Sequence, residues 1–141
     1  MTYLLALDQG TSSSRSIVFD ASGQVVSMAQ QDLPQIYPQP GWVEHDPITI
    51  WQTQLATAKA ALAKAGITAR QVHAVGITNQ RETSVVWNRG TGQPIHHAIV
   101  WQDLRTQAEM TALARDADIA RRVTETTGLR LDPYFSAAKI R

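Results

Sequence analysis

Two short apolar runs, Tyr3-Leu4-Leu5-Ala6-Leu7 and Ser16-Ile17-Val18-Phe19, flank Asp8-Gln9-Gly10-Thr11-Ser12-Ser13-Ser14-Arg15. This pattern constrains the fold more than any other part of the chain. Runs of this length rich in aliphatic residues, separated by a glycine and four hydroxyl side chains, read as two strands joined by a tight turn. In such a hairpin Gly10 allows close backbone approach and a positive φ, while Thr11, Ser12 and Ser13 supply donors that suit phosphate oxygens. Asp8 ends the first strand and brings a carboxylate to the same place, where its use beside a phosphate is to hold Mg²⁺ directly or through water. Arg15 adds a cation across the turn. The spacing is not that of a Walker loop, because the Gly-Lys-Ser/Thr ending is missing and a strand follows the turn. A polar hairpin tip with no ligand is the alternative reading of the same residues.

The rest of the chain limits what this turn can belong to. With 141 residues, 43% of them hydrophobic, the sequence can build one globular domain with a real core. Thirteen basic and twelve acidic residues leave a net charge of +1, so sequence-independent nucleic-acid binding has no electrostatic basis. Cysteine is absent, which removes disulfides and thiolate chemistry and fits a reducing compartment. The start Met1-Thr2-Tyr3 has no basic segment or long apolar stretch, so the expectation is a cytoplasmic protein without a membrane span.

The order of elements follows from punctuation and periodicity. Asp20-Ala21-Ser22-Gly23 is a turn leading to a third strand, Gln24–Ala29, which completes an antiparallel meander. The stretch from Gln35 to His45 is too rich in Pro and Gly for either regular element, and Asp46-Pro47 then supplies an N-cap and a first-turn proline. Ile48, Trp51, Leu55, Ala58 and Leu62 recur at helical spacing up to Gly66, which predicts a helix lying on the sheet by that stripe. Val72–Thr78 reads as a buried strand, parallel to the first because a helix carries the crossover. Ser84–Trp87 and Ala98–Trp101 read as two more strands around Asn88–Gly92. Helices are expected over Leu104–Ala117, capped by Asp103, and over Ile119–Thr127, closed by Gly128. A β-β-β-α-β order with a phosphate turn between the first two strands is the layout of a ribonuclease-H-like α/β lobe of the actin/hexokinase type: a mixed sheet that starts with a three-strand meander and carries helices.

The segment Gly76-Ile77-Thr78-Asn79-Gln80-Arg81-Glu82-Thr83 ends a strand in polar and charged residues. An adjacent Arg and Glu can offer a donor fork and an acceptor pair to one hydroxyl-rich molecule; a surface ion pair is the plainer alternative. Together with Leu7–Arg15, Pro40-Gly41-Trp42-Val43-Glu44-His45-Asp46-Pro47, Ile99-Val100-Trp101-Gln102 and Asp132-Pro133-Tyr134-Phe135-Ser136, this segment closely resembles the bacterial glycerol kinases of the FGGY carbohydrate kinase family, in order and approximate spacing.

The resemblance implies an enzyme that phosphorylates glycerol to sn-glycerol 3-phosphate with ATP and Mg²⁺. It also implies a homo-oligomer, and partners limited to glycerol and nucleotide, without nucleic acid or membrane. It assigns Thr11, Ser12, Ser13 and Arg15 to the nucleotide phosphates and Asp8 to the Mg²⁺. Arg81, Glu82 and Tyr134 fall to the glycerol hydroxyls, and Trp101 to its carbon face. Trp101 and Tyr134 also read as a core residue and a loop anchor, and the four histidines match no catalytic role. Two departures stand out: Leu104 occupies the first place of an Arg pair that many glycerol kinases carry before Thr106, and the family's enzymes are bilobed and several times longer. Residues 1–141 are thus expected to be the N-terminal part of the first lobe, with the second lobe and the general base in segments beyond them. A kinase of another polyol or sugar, and a non-catalytic actin-like nucleotide-binding module, remain as alternatives.

Overall fold

The computed structural model describes residues 2–141; Met1 lies outside them. The chain divides into two compact units, residues 1–35 with 45–80, and residues 36–44 with 81–141.

The first unit is a four-stranded sheet in the order β3-β2-β1-β5, formed by β1 (Tyr3–Gln9), β2 (Ser13–Phe19), β3 (Val25–Asp32) and β5 (Val72–Thr78). β1 pairs antiparallel with β2, and β2 antiparallel with β3. β5 lies parallel to β1, as the helical crossover requires. Asp20 Oδ1 accepts from the amides of Ser22 (2.8 Å) and Gln24 (3.0 Å), and Gly23 takes φ 84°, which sets the β2–β3 turn. The crossover helix α1 (Pro47–Lys64) starts where Asp46 accepts from the amide of Ile48 at 3.0 Å.

The face that α1 turns to the sheet differs from the expected stripe. Thr53, Thr57 and Ala61 are its buried residues, whereas Trp51 is 65% exposed and Ile48 and Leu55 are exposed as well. Only Ala58 and Leu62 of the stripe pack against the core, which is built on Leu5, Val18, Ala29 and Ala61. The reason lies on β2, whose inward residues include two serines. The hydroxyls of Ser14 and Thr53 lie 2.7 Å apart, and those of Ser16 and Thr57 2.9 Å apart, so each buried polar group satisfies another. Helical periodicity reports an apolar side but not that a paired polar side can take its place. β5 is likewise not the buried strand its composition suggested: it lies at the sheet edge, with Val75 and Ile77 53% and 75% exposed.

In the second unit, only Ala98–Ile99 of the two strands expected around Asn88–Gly92 forms a regular strand, β6. Ser84 exchanges backbone hydrogen bonds with Ile99 at 2.9 and 3.0 Å, and Trp87 bridges to Pro94. Pro94 lacks an N–H for the ladder, and the connection is sparse. The Pro- and Gly-rich stretch is irregular as expected until Glu44 bonds back to Ile36 and the chain enters the short β4 (Glu44–His45). The expected helix over Leu104–Ala117 is shorter: α2 spans Gln107–Leu113, and its N-cap residue is Thr106 rather than Asp103. α3 (Ala117–Thr127) starts at Asp116, which accepts from Asp118 and Ile119, and ends at Gly128 in the left-handed conformation. A short α4 covers Ser136–Ile140. Among the described residues, no helix is long and apolar enough to cross a membrane.

Candidate functional site

The phosphate-type turn belongs to the first unit. Gly10 is needed for space and not for a positive φ, contrary to half of the expectation: it is absent from the positive-φ residues, but a Cβ there would stand 3.0 Å from the Ser13 carbonyl oxygen, to which the Gly10 amide donates at 2.9 Å. The Thr11 carbonyl accepts from Gln35 Nε2 at 2.9 Å, and the Ser12 carbonyl from the Leu33 amide at 2.8 Å. With no cis peptide among the described residues, the N–H of each peptide unit points opposite to its carbonyl, so the amides of Ser12 and Ser13 point away from Gln35 and Leu33. A turn with its carbonyls held to one side and amides turned to the other has the electrostatics of an anion nest.

Ser14 takes no part in that face, because its buried hydroxyl donates to Gln9 at 2.9 Å and pairs with Thr53. Asp8 and Arg15 are directly opposed across the β1–β2 ladder. Arg15 Nε and Nη2 both reach Asp8 Oδ2, at 3.1 and 3.0 Å. That pairing leaves Asp8 Oδ1 for a cation or its water. No cluster of three or more His, Asp or Glu stands together among the described residues. Mg²⁺ fits such a sparse site, since it commonly binds through one or two carboxylates, retained waters and phosphate oxygens.

The residues expected to contact a polyol lie in the second unit. The Trp101 and Tyr134 rings meet edge to face at 5.8 Å, and Tyr134 meets Phe135 in the same way at 5.1 Å. Asp132 sets this segment by accepting from the Tyr134 amide at 2.9 Å. Glu82 Oε2 accepts from both the amide and the hydroxyl of Ser136, each at 3.0 Å, and Lys139 donates to the carbonyls of Glu82 (3.3 Å) and Tyr134 (2.9 Å). Burial lowers the Lys139 pKa. Glu82, Trp101 and Tyr134 are thus brought into one network, while Arg81 is exposed and joins no ion pair among the described residues. Glu82 has φ 62°, the one positive value outside glycine among the described residues. A backbone conformation of that kind costs about 1–3 kcal/mol, and such outliers cluster at functional sites.

The residues that hold Trp101's segment went unassigned in the sequence. Asp103 is fully buried, and its carboxylate accepts from the Val43 amide (2.7 Å), the Arg105 amide (2.8 Å) and the Arg105 guanidinium (2.9 and 3.0 Å) instead of capping a helix. Arg105 also reaches Glu44 at 2.6 Å and lies 3.9 Å over the Trp42 ring. Burial alone would raise the pKa of Glu44 and Asp103, but hydrogen bonds to Arg105, joined by His97 at Glu44 and by backbone amides at Asp103, outweigh it and hold both below the ordinary carboxylate range. Leu104, the departure noted above, is exposed and donates its amide to the Gly41 carbonyl, while Arg105 makes the ion pairs with Asp103 and Glu44. A signal was present in Glu44 within the apolar Trp42–His45 stretch and in Asp103 and Arg105 just after the apolar Ala98–Trp101 stretch, yet pairing across 60 residues is not legible from periodicity.

Comparison with known proteins places these segments in context. The family model described as the N-terminal domain of the FGGY family of carbohydrate kinases matches residues 3–141. The glycerol kinases of Delftia acidovorans and Paracidovorax citrulli are 67% and 66% identical to the whole chain, which spans 28% of their length. The crystal structure of Plasmodium falciparum glycerol kinase with ADP superposes with a TM-score of 0.88 at 34% identity, over 99% of this chain and 28% of that one. A ligand-bound xylulose kinase from Lactobacillus acidophilus reaches the same TM-score of 0.88 at 19% identity, over 99% of this chain and 28% of that one, and shows the shared fold. With both the matched sequence and the meander-helix-strand sheet of an actin/hexokinase-like sugar kinase, this chain belongs to the FGGY family of carbohydrate kinases, matching the model of the family's N-terminal domain.

Proposed function

We propose that the chain is the N-terminal part of an enzyme that transfers the γ-phosphoryl group of ATP to a terminal hydroxyl of glycerol, giving sn-glycerol 3-phosphate. The observation that carries this reading is the 67% identity to a glycerol kinase along all 141 residues, both candidate segments included. Bound MgATP supplies the phosphoryl group and its activating cation. Thr11, Ser12 and Ser13 then hold phosphate oxygens through amides and hydroxyls, Arg15 offsets their charge, and Asp8 holds Mg²⁺ or its water. At the other segment Arg81 donates to glycerol oxygens, Glu82 and Tyr134 complete the hydrogen bonds, and Trp101 covers the carbon face. Phosphoryl transfer relies mainly on positioning and charge stabilisation, and these residues supply both. No residue of the chain matches the general base, which belongs to a segment outside it. The complete enzyme is, in this reading, a cytoplasmic homo-oligomer.

A coupled assay for glycerol 3-phosphate tests the proposal. The longer protein that carries this segment is expected to turn over glycerol and ATP, and the 141-residue chain alone is expected not to. Failure of the longer protein to phosphorylate glycerol refutes the function. Multiple turnover by the chain alone refutes the assignment of the base elsewhere.

A further inference from the structure

His45 is fully buried, and both of its ring nitrogens are engaged within the first unit. Gln80 Nε2 approaches Nδ1 at 3.4 Å, and Nε2 lies 2.8 Å from Gln35 Oε1. An amide nitrogen only donates and an amide oxygen only accepts. Nδ1 is therefore the accepting nitrogen, and Nε2 carries the proton that it donates to Gln35. Burial lowers the imidazole pKa, which agrees with a neutral ring. Fixing Oε1 of Gln35 on His45 directs its Nε2 to two carbonyls, those of Leu33 and Thr11, each at 2.9 Å. With the amide reversed, its oxygen would face both carbonyls, so the imidazole proton decides which way Gln35 lies.

The result is a one-way chain of donors, Gln80 to His45 to Gln35 to Thr11, ending on the backbone of the phosphate-type turn. Together with the bond from the Leu33 amide to the Ser12 carbonyl at 2.8 Å, it ties two successive turn carbonyls to the end of β3. The opposite ends of those two peptide units are the amides of Ser12 and Ser13.

We propose that His45 and Gln35 are positioning residues for the phosphates of a nucleotide: by holding the Thr11 carbonyl they aim the Ser12 and Ser13 amides at the anion. This rests on the function proposed above. His45 touches no reacting atom; it acts through Gln35, and Gln80 sets its tautomer.

The test uses the longer protein and three variants. Gln35→Glu keeps the acceptor for His45 but turns a carboxylate oxygen toward two carbonyls. His45→Leu breaks the chain. His45→Gln retains an N–H donor near the place of Nε2. Losing the aim of one or two amide donors is expected to raise KM for MgATP about tenfold in Gln35→Glu and His45→Leu, with KM for glycerol changing less than about twofold and His45→Gln recovering most of the loss. Hydrogen–deuterium exchange over residues 10–13 is expected to speed up in the first two variants and not in the third. Equal KM values for MgATP in Gln35→Glu and the parent overturn the proposal. So does a parallel rise of both KM values that His45→Gln leaves uncorrected, since that is the mark of a merely structural role. If the parent phosphorylates nothing, the proposed function fails on its own account. The exchange measurement then decides about the relay: unchanged exchange in Gln35→Glu overturns it.

Discussion

Replacing Arg105 with alanine removes the one cation that joins two buried carboxylates. The Asp103 side chain is fully buried, that of Glu44 is 5% exposed and that of Arg105 14%, so water cannot replace the lost partner. Breaking a buried ion pair from one side costs about 3–5 kcal/mol, because the remaining charge is left uncompensated. Asp103 keeps two backbone amide donors, which limits its share; Glu44 keeps His97 at 3.0 Å, a side chain about half in water. Loss of the stacking on Trp42 adds about 0.5–1 kcal/mol. Urea denaturation of the purified chain at pH 7 should therefore show a loss of about 3–5 kcal/mol. The sign of the pH dependence follows from the depressed carboxylate pKa values. In the parent, Glu44 and Asp103 contribute stability that is fully present above their ordinary values of 4.5 and 3.8 and is lost as pH falls through their lower folded values. Without Arg105, burial is opposed by fewer partners and the carboxylates protonate at higher pH, so the cost of the substitution shrinks on acidification below 4.5. A cost under about 1 kcal/mol at pH 7, the range of an exposed pair, would refute this reasoning, as would a cost that does not change with pH.

Other outcomes follow from the same geometry. In the longer protein, Arg81→Ala should reduce kcat/KM for glycerol by about 10- to 150-fold, the worth of a hydrogen bond from a charged group, with a much smaller effect on ATP; steady-state kinetics with each substrate varied checks this. Asp8→Ala should lower kcat sharply and leave glycerol affinity by calorimetry nearly unchanged, since Asp8 lies with the phosphate turn; turnover is then followed across Mg²⁺ concentrations. Thr57→Val breaks the buried hydroxyl pair with Ser16 and should destabilise the chain by about 1–2 kcal/mol, whereas Trp51→Ala on the exposed side of α1 should stay within about 0.5 kcal/mol in the same denaturation assay.

That last contrast marks where sequence reading stopped. Local chemistry was legible: the cap Asp46, the turn at Asp20–Gly23, the helix end at Gly128 and the meander with its parallel crossover all follow from side chains acting within a few residues of themselves. Burial was less so. The stripe from Ile48 to Leu62 had the right period, but which side of α1 meets the sheet depended on Ser14 and Ser16 offering hydroxyls to Thr53 and Thr57 some 40 positions away. Asp103 failed as a helix cap for a similar reason, since Arg105, Val43 and Glu44 compose its surroundings only once the loop preceding α1 folds back.

The candidate site divides in the same way. Asp8, Thr11, Ser12, Ser13, Arg15, Arg81, Glu82, Trp101 and Tyr134 were picked out by residue type and family likeness. The structure draws Glu82, Trp101 and Tyr134 into one network, and it opposes Asp8 to Arg15. The supporting groups Gln35, His45, Lys139 and Ser136 carry no motif chemistry of their own. Their role is visible only as hydrogen bonds to the backbone or carboxylates of the residues already chosen.

The central claim is that glycerol is the acceptor, and it is tested most directly by comparing kcat/KM for glycerol, D-xylulose and gluconate in the longer protein with ATP as donor. A site whose polar groups are set to a three-carbon polyol should favour glycerol by about a hundredfold or more, because the other acceptors leave its donors and acceptors mismatched. Phosphorylation of D-xylulose or gluconate as efficient as that of glycerol would contradict the account.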